Sequence, residues 1–178
     1  MGYLVSSLGQ VPVDDDITLY IFVVNGTWRG GASGVLEDNF VRIAERIGPT
    51  AAIVKGLKDD LVSEEAARKY LGKDYTDLLD SLPGLLLTDA HPEDLQEDSL
   101  RLLVPLKDAE ARFGSFDAFF HALAEFAQNR DMAFLEKFED KEDLLEAGNA
   151  IIDLKPNMFG VGVNLNALFA RLKERGAQ

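Results

Sequence analysis

The sequence contains no cysteine among its 178 residues. Disulfide bonds, thiolate metal ligands and thiol nucleophiles are therefore excluded. Histidine is scarce as well, because only His91 and His121 occur, and they are not spaced as a pair of zinc ligands. The acidic runs at 93–98 and 136–146 do not match a calcium-binding loop. We therefore expect no metal site and no cofactor.

The sequence also has few basic residues and no long apolar run. Lys and Arg number 18 against 31 Asp and Glu, which gives a formal net charge of −13. Such a charge opposes binding to nucleic-acid phosphates and to anionic membrane surfaces. No apolar run reaches the ~20 residues that span a bilayer, and no signal-peptide pattern opens the sequence. We expect a cytoplasmic protein that binds no nucleic acid and has no membrane span.

The strands predicted from the sequence alternate with helices over most of its length. A short strand is expected within 3–13, and further apolar strands follow at 17–24, 51–54, 85–88 and 100–106. The strand at 17–24 is apolar on both faces, which is typical of a central strand, whereas Pro105 indicates an edge strand at 100–106. This order predicts an α/β protein whose mixed sheet carries helices on both faces.

The predicted helices lie at 34–47, from Ser63 to near Gly72, at 116–128 and over 132–153, with a strand at 159–165 and a last helix at 167–175. The first helix is expected to have Ser33 as its N-cap. Its apolar residues recur at helical spacing and predict one buried stripe, formed by Leu36, Phe40, Ile43 and Ile47. Ser63 is expected to cap the second helix.

Two short motifs carry a resemblance to a known family. Trp28-Arg29-Gly30-Gly31-Ala32 lies at a strand-to-helix turn, and Leu82-Pro83-Gly84 precedes a short apolar strand. With the order of elements, these motifs make residues 17–128 resemble the thioredoxin-like superfamily, in which the first place carries Trp-Cys-Gly-Pro-Cys. The resemblance puts Arg29 and Ala32 where the two cysteines would stand, puts Gly31 in place of the proline, and implies that Pro83 is a cis-proline.

The resemblance implies a thioredoxin-like mixed sheet in residues 1–128, which include the N-terminal strand. Residues 129–178 would then form a C-terminal α/β extension, helix–strand–helix in order, packed on the same domain or continuing it. Because thiol–disulfide exchange requires a thiolate, a member of this superfamily without cysteine is redox-inactive.

Redox-inactive members of that superfamily commonly bind proteins as adaptors or chaperone-like modules. In the family, the cis-proline loop lies beside the active-site turn and pairs with an extended peptide, which is strand addition. The resemblance therefore implies a non-enzymatic protein with a protein or extended peptide as its partner. The binding residues that it implies are Trp28, Arg29, Gly30, Gly31, Pro83 and Gly84.

Other interpretations of the same residues remain open. The Gly-rich turn 26–34 could hold a nucleotide or a phosphorylated metabolite, because glycines let backbone N–H groups converge at a helix N-terminus. The turn matches neither the Walker pattern nor the dinucleotide fingerprint. It also lacks the last glycine of a nucleophile elbow, since Val35 stands there. Trp28 could equally be a partly buried core residue, and Pro83 an ordinary trans-proline.

Overall fold

A computed structural model describes residues 1–25, 31–73, 75–96, 99, 101–129, 131, 133–137 and 152–153. The strands in this part of the chain are β1 (Gly2–Val5), β2 (Leu19–Val24), β3 (Ala51–Gly56), β4 (Gly84–Thr88), β5 (Leu102–Pro105) and β6 (Ile152–Asp153). The α-helices are α1 (Gly31–Arg46), α2 (Asp59–Ala66), α3 (Leu106–Phe113), α4 (Phe116–Asn129) and α5 (Ala133–Glu136). Short 3-10 helices lie at Leu8–Gln10 and Tyr75–Ser81, and a π-helical turn at Ala67–Leu71 continues α2.

The described strands form one mixed sheet in the order β1-β3-β2-β4-β5-β6. β1 and β2 both run parallel to β3, whereas β4 runs antiparallel to β2, and β5 antiparallel to β4. All six residues of β2 are buried, because this strand is central and both of its faces are covered. The predicted α/β class with a mixed sheet is confirmed.

One face of the sheet is covered by α1, α3, α4 and α5. Alternate strand residues such as Ile21 and Ile53 point to this face and pack with Leu36, Ile43 and Phe119 in one core cluster. Each fully buried side chain of this kind contributes roughly 1.5–3 kcal/mol through removal from water. In the predicted stripe of α1, Leu36, Ile43 and Ile47 are buried and Phe40 is half-buried.

The opposite face is covered by α2 and the turns on either side of it. Phe22, Val54 and Leu86 pack there with Val62 and Tyr70 in a second core cluster. The two clusters account for the burial of both faces of the strands, and the helices lie on both faces as the sequence predicts.

The N-terminal ends of two helices differ from the prediction. α1 begins at Gly31, so Ser33 lies inside the helix and is not its N-cap. α2 begins at Asp59, so Ser63 is also an interior residue. The helical stretch that follows ends at Gly72, which has the left-handed φ of +60° and agrees with the predicted end.

The region after β4 also differs from the prediction. The sequence pattern missed α3, which follows β5 without a loop: Pro105 is its N-cap residue and Gly114 ends it with φ +79°. The Oγ of Ser115 then accepts the N–H of Ala118 at 3.1 Å and begins α4 at its predicted place.

The C-terminal predictions are tested only in part. The sequence predicted that β5 is an edge strand, but β6 pairs antiparallel with it. Ile152–Asp153 was predicted to end a helix and instead forms this strand. Ala133–Glu136 is helical as predicted. The remaining expectations for this part of the chain, including the strand at 159–165 and the helix at 167–175, lie outside the described residues. None of the helices in the described part of the chain combines the length and the apolar character needed to cross a bilayer.

Candidate functional site

The pairing of β2 with β4 brings the residue before the Gly-rich turn and the loop with Pro83 to the same end of the sheet. In this antiparallel pair Val24 lies opposite Gly84. Asn25 follows Val24 at the start of the Gly-rich turn, and Pro83 precedes Gly84. The chain returns from the turn into α1 at Gly31. The loop with Pro83 therefore lies beside the point where the Gly-rich turn leaves the sheet.

Three of the predicted binding residues have described positions. Gly31 is the first residue of α1, Pro83 is half-buried next to β4, and Gly84 is a buried residue of β4. Trp28, Arg29 and Gly30 lie outside the described residues. The predictions for these residues as a binding site stay predictions.

Gly84 is required by the close approach of β5. A Cβ at this position would lie 2.9 Å from the carbonyl oxygen of Val104 and 3.3 Å from Leu103 Cδ1. The first distance involves backbone, which cannot move aside as the end of a side chain can. Gly84 therefore contributes its main chain to the end of the sheet and lets β4 and β5 stay in register.

The peptide bond between Leu82 and Pro83 is cis, as the resemblance implies. The carbonyl oxygen of Pro83 accepts the N–H of Leu106 at 2.9 Å, and the N–H of Leu82 donates to the carbonyl oxygen of Leu79 at 3.3 Å. No backbone N–H of the described residues donates to the carbonyl oxygen of Leu82.

The start of the Gly-rich turn is fixed by α2. The N–H of Asn25 donates to the Oγ of Ser63 at 3.0 Å, and both residues are buried. A serine that the sequence pattern assigned to a helix cap thus holds the end of β2 against α2. Nothing in the local sequence signals this bond, because it joins residues 38 positions apart.

The ring of His91 is buried, and both of its nitrogens contact backbone groups. It is 5% exposed, its Nε2 lies 3.1 Å from the carbonyl oxygen of Val11, and its Nδ1 accepts the N–H of Glu93 at 3.1 Å. The two contacts fit the neutral ring with its proton on Nε2. The ring also meets Tyr20 edge-on, with 5.6 Å between the centroids. Both nitrogens are engaged by backbone, so His91 is not placed as a general base, and His121 is exposed on α4.

Burial raises the pKa of two tyrosines on the same face of the sheet. The O–H of Tyr70 donates to the carbonyl oxygen of Ala90 at 3.2 Å inside the protein. Burial raises the pKa of Tyr70 well above its ordinary value of 10, with a smaller contribution from Tyr20. Burial also raises the pKa of Tyr20, and the nearby carboxylate of Asp14 adds to this. These groups support the fold behind the turn and offer no charged catalytic group.

Within the part of the chain that the structure describes, no three His, Asp or Glu side chains come together as a possible metal site. A comparison with known proteins finds no family model, no curated protein and no solved structure that matches this chain. The assignment of a function therefore rests on the residues and on the geometry around Pro83.

Proposed function

We propose that this chain is a redox-inactive thioredoxin-like protein that acts without catalysis, as an adaptor or chaperone-like module that binds an extended segment of a partner protein. The observation that carries the proposal is the pairing of Val24 with Gly84. It puts the loop with Pro83 beside the end of β2, from which the chain continues into the turn 26–34, and in the family a loop beside that turn binds a peptide by strand addition. The absence of cysteine removes the thiolate that a redox member needs.

The partner segment would bind mainly through hydrogen bonds to the backbone of the loop with Pro83. A peptide N–H that donates to the carbonyl oxygen of Leu82 would start a short antiparallel ladder beside the loop. Leu82 and Pro83 are both half-buried, so part of each remains available at the surface. In this proposal Trp28 supplies apolar contact area and Arg29 supplies hydrogen-bond donors to peptide carbonyl groups or carboxylates.

A peptide-binding experiment tests this proposal. Peptides that bind the full chain are selected from a random, unstructured library displayed on phage, and their affinities are measured by calorimetry. The double variant Trp28→Ala/Arg29→Ala is expected to bind at least about tenfold more weakly, which corresponds to ~1.4 kcal/mol. Unfolding in urea checks that both proteins are folded.

The matched control removes one exposed apolar side chain and one exposed cation elsewhere, in the variant Val13→Ala/Lys69→Ala. Its affinity is expected to equal that of the unmodified chain. Equal affinities for all three proteins, or a failure to select any peptide, would contradict the proposed peptide groove, which Trp28 and Pro83 would line with Arg29 at its centre.

A small ligand at the turn 26–34 is the second candidate function. It is favoured by the start of α1 at Gly31, because the Gly-rich turn leads directly into the positive end of a 16-residue helix. A nucleotide or a phosphorylated metabolite would then be bound by backbone N–H groups together with Arg29. This candidate needs no partner protein.

Thermal unfolding with added ligands separates the two candidates. The probes are inorganic phosphate, pyrophosphate, nucleoside mono-, di- and triphosphates, and sugar phosphates. A ligand at 100 times its Kd adds ~2.7 kcal/mol to the free energy of unfolding, which is a measurable rise in Tm. A rise that Arg29→Ala abolishes supports the ligand site, and unchanged Tm values with every probe contradict it.

A further inference from the structure

The end of β2 is held by a side chain of α2. The register of β2 and β4, continued by one residue, brings Asn25 level with Pro83. Proline has no N–H, and the carbonyl oxygen of Pro83 accepts the N–H of Leu106. The backbone N–H of Asn25 donates to the Oγ of Ser63 at 3.0 Å. The hydroxyl of Ser63 thus takes the place of a strand partner at the last residue before the Gly-rich turn.

Both partners of this hydrogen bond are buried. Asn25 is 4% exposed and Ser63 is 1% exposed, so solvent water is largely kept from both. A buried N–H that loses its acceptor is costly, because it has given up water without regaining a hydrogen bond. We therefore expect Asn25 to move when the hydroxyl is removed, and the turn to move with it because the two are continuous in the chain.

The close approach of α2 to β3 brings Ser63 within reach of Asn25. Gly56 ends β3, and a Cβ at this position would lie 2.9 Å from the carbonyl oxygen of Lys58 and 3.0 Å from the Cβ of Val62. Because Gly56 has no side chain, α2 packs directly against the end of β3. Ser63 follows Val62 in this helix and so lies beside the end of the neighbouring strand β2.

The bond to Asn25 also explains why a serine stands at this place in α2. The helix begins at Asp59, four residues earlier, so the hydroxyl of Ser63 does not begin it. Serine favours a helix less than alanine does, and burial of a hydroxyl is unfavourable unless it is hydrogen-bonded. The distant N–H that the hydroxyl accepts offsets both costs.

We propose that Ser63 is a positioning residue of the candidate site: its hydroxyl fixes Asn25, and thereby the turn 26–34, without touching the partner. This inference rests on the proposed function, in which the turn with Trp28 and the loop with Pro83 form the two sides of the peptide groove. Trp28 follows Asn25 by three residues, so a shift of Asn25 changes the spacing of the two sides. Ser63 then sets the affinity of the groove from α2.

Two variants of α2 separate positioning from a general loss of stability. Ser63→Ala removes the acceptor and is expected to weaken the binding of a library-selected peptide about fivefold or more, measured by calorimetry. Val62→Ala removes both γ-methyl groups of the neighbouring buried residue and keeps the hydroxyl. It is expected to lower the midpoint of urea unfolding and to leave the affinity of the folded protein unchanged.

Ser63→Thr tests whether the hydroxyl itself is required. Threonine keeps an acceptor oxygen at the same position and adds one methyl group, so the affinity is expected to be restored relative to Ser63→Ala. Far-UV circular dichroism shows whether each variant is folded. If Ser63→Thr is not folded, the spectrum of Ser63→Ala described next decides.

A measurement without peptide separates this inference from the peptide groove. The side-chain N–H of Trp28, the single tryptophan, gives one peak in a ¹H–¹⁵N spectrum of the peptide-free protein. Ser63→Ala is expected to shift this peak and to move the amide proton of Asn25 upfield, because that amide loses its acceptor. Val62→Ala is expected to leave both signals in place.

Equal peptide affinities of Ser63→Ala and the unmodified chain overturn the positioning role, as does a Trp28 peak that Ser63→Ala leaves in place. Equal weakening by Ser63→Ala and Val62→Ala overturns it as well, because that result shows a general loss of stability. A chain that binds no peptide, but whose Trp28 peak shifts in Ser63→Ala alone, contradicts the groove and supports Ser63 as the residue that positions the turn.

Discussion

At the residue scale, individual glycines have opposite effects on the stability of this fold. Gly84 allows two strands to approach, and a Cβ there would come within 2.9 Å of a backbone oxygen. Gly34 lies in α1 with nothing within 4 Å of the place where a Cβ would go. The first glycine is thus required by packing, whereas the second only adds flexibility to a helix.

Alanine substitution at these two positions is therefore expected to change stability in opposite directions. Gly84→Ala should lower the free energy of unfolding by about 1–3 kcal/mol, because β5 must shift to accept the methyl group. Gly34→Ala should raise it by about 0.5–1 kcal/mol, because alanine favours the helix. Urea denaturation at pH 7 measures both changes. A neutral effect of Gly84→Ala would contradict the close approach of β4 and β5.

The buried phenols predict a loss of stability at high pH. The folded protein keeps Tyr70 neutral, whereas the unfolded chain ionises it near the ordinary value of about 10, so rising pH above about 10 favours unfolding. Below that pH the contribution is fully present. Tyr70→Phe should flatten the fall in the free energy of unfolding between pH 9 and pH 11, measured by urea denaturation at each pH.

The same substitution also removes the hydrogen bond from Tyr70 to the carbonyl oxygen of Ala90. It should therefore cost about 1–2 kcal/mol at pH 7. Tyr20→Phe serves as the comparison, because burial also raises the pKa of Tyr20. An unchanged slope with pH after both substitutions together would contradict the interior placement of these phenols.

At the element scale, the sequence predicted strands better than helix ends. The apolar run at 17–24 predicted β2, since an unbroken apolar stretch identifies a strand covered on both faces. The two predicted N-caps were wrong, because Ser33 and Ser63 each lie inside a helix that begins earlier. Serine is favoured at N-caps by one local hydrogen bond, and in Ser63 the same hydroxyl accepts a distant N–H instead.

Helix α3 was missed for a related reason. It begins directly after Pro105, a residue that indicated an edge strand over 100–106 and is instead the N-cap residue of this helix. α3, α4 and α5 share one aromatic cluster. In it the ring centroid of Phe134 lies 5.2–5.9 Å from the ring centroids of Phe113, Phe119 and Phe126. Phe134, which follows position 129, thus belongs to the first core cluster.

Removal of this aromatic side chain tests how strongly α5 belongs to the fold. Phe134→Ala should lower the free energy of unfolding by about 3–5 kcal/mol, as for other buried phenylalanines. Val13→Ala, at an exposed position, should change it by less than about 0.5 kcal/mol. The measurement is urea denaturation followed by circular dichroism. A small effect of Phe134→Ala would mean that α5 is not packed in the core.

At the scale of the whole molecule, the order of the strands decides where the candidate site lies. Residues 25 and 83 are far apart in the sequence, and only the pairing of β2 with β4 brings them to one end of the sheet. The sequence indicated both motifs through their local residues, Gly-rich in one and Leu82-Pro83-Gly84 in the other. It could not indicate the bond from Asn25 to Ser63 or the role of Gly84, because both depend on contacts between distant segments.

The central claim, a peptide groove between the Gly-rich turn and the loop with Pro83, is tested most directly by the indole of Trp28. The chain has a single tryptophan, so its side-chain N–H gives one identifiable peak in a ¹H–¹⁵N spectrum of the labelled protein. Titration with a library-selected peptide should shift this peak together with the backbone amides of Asn25, Leu82 and Gly84. Saturable binding that leaves these four signals in place would contradict the account.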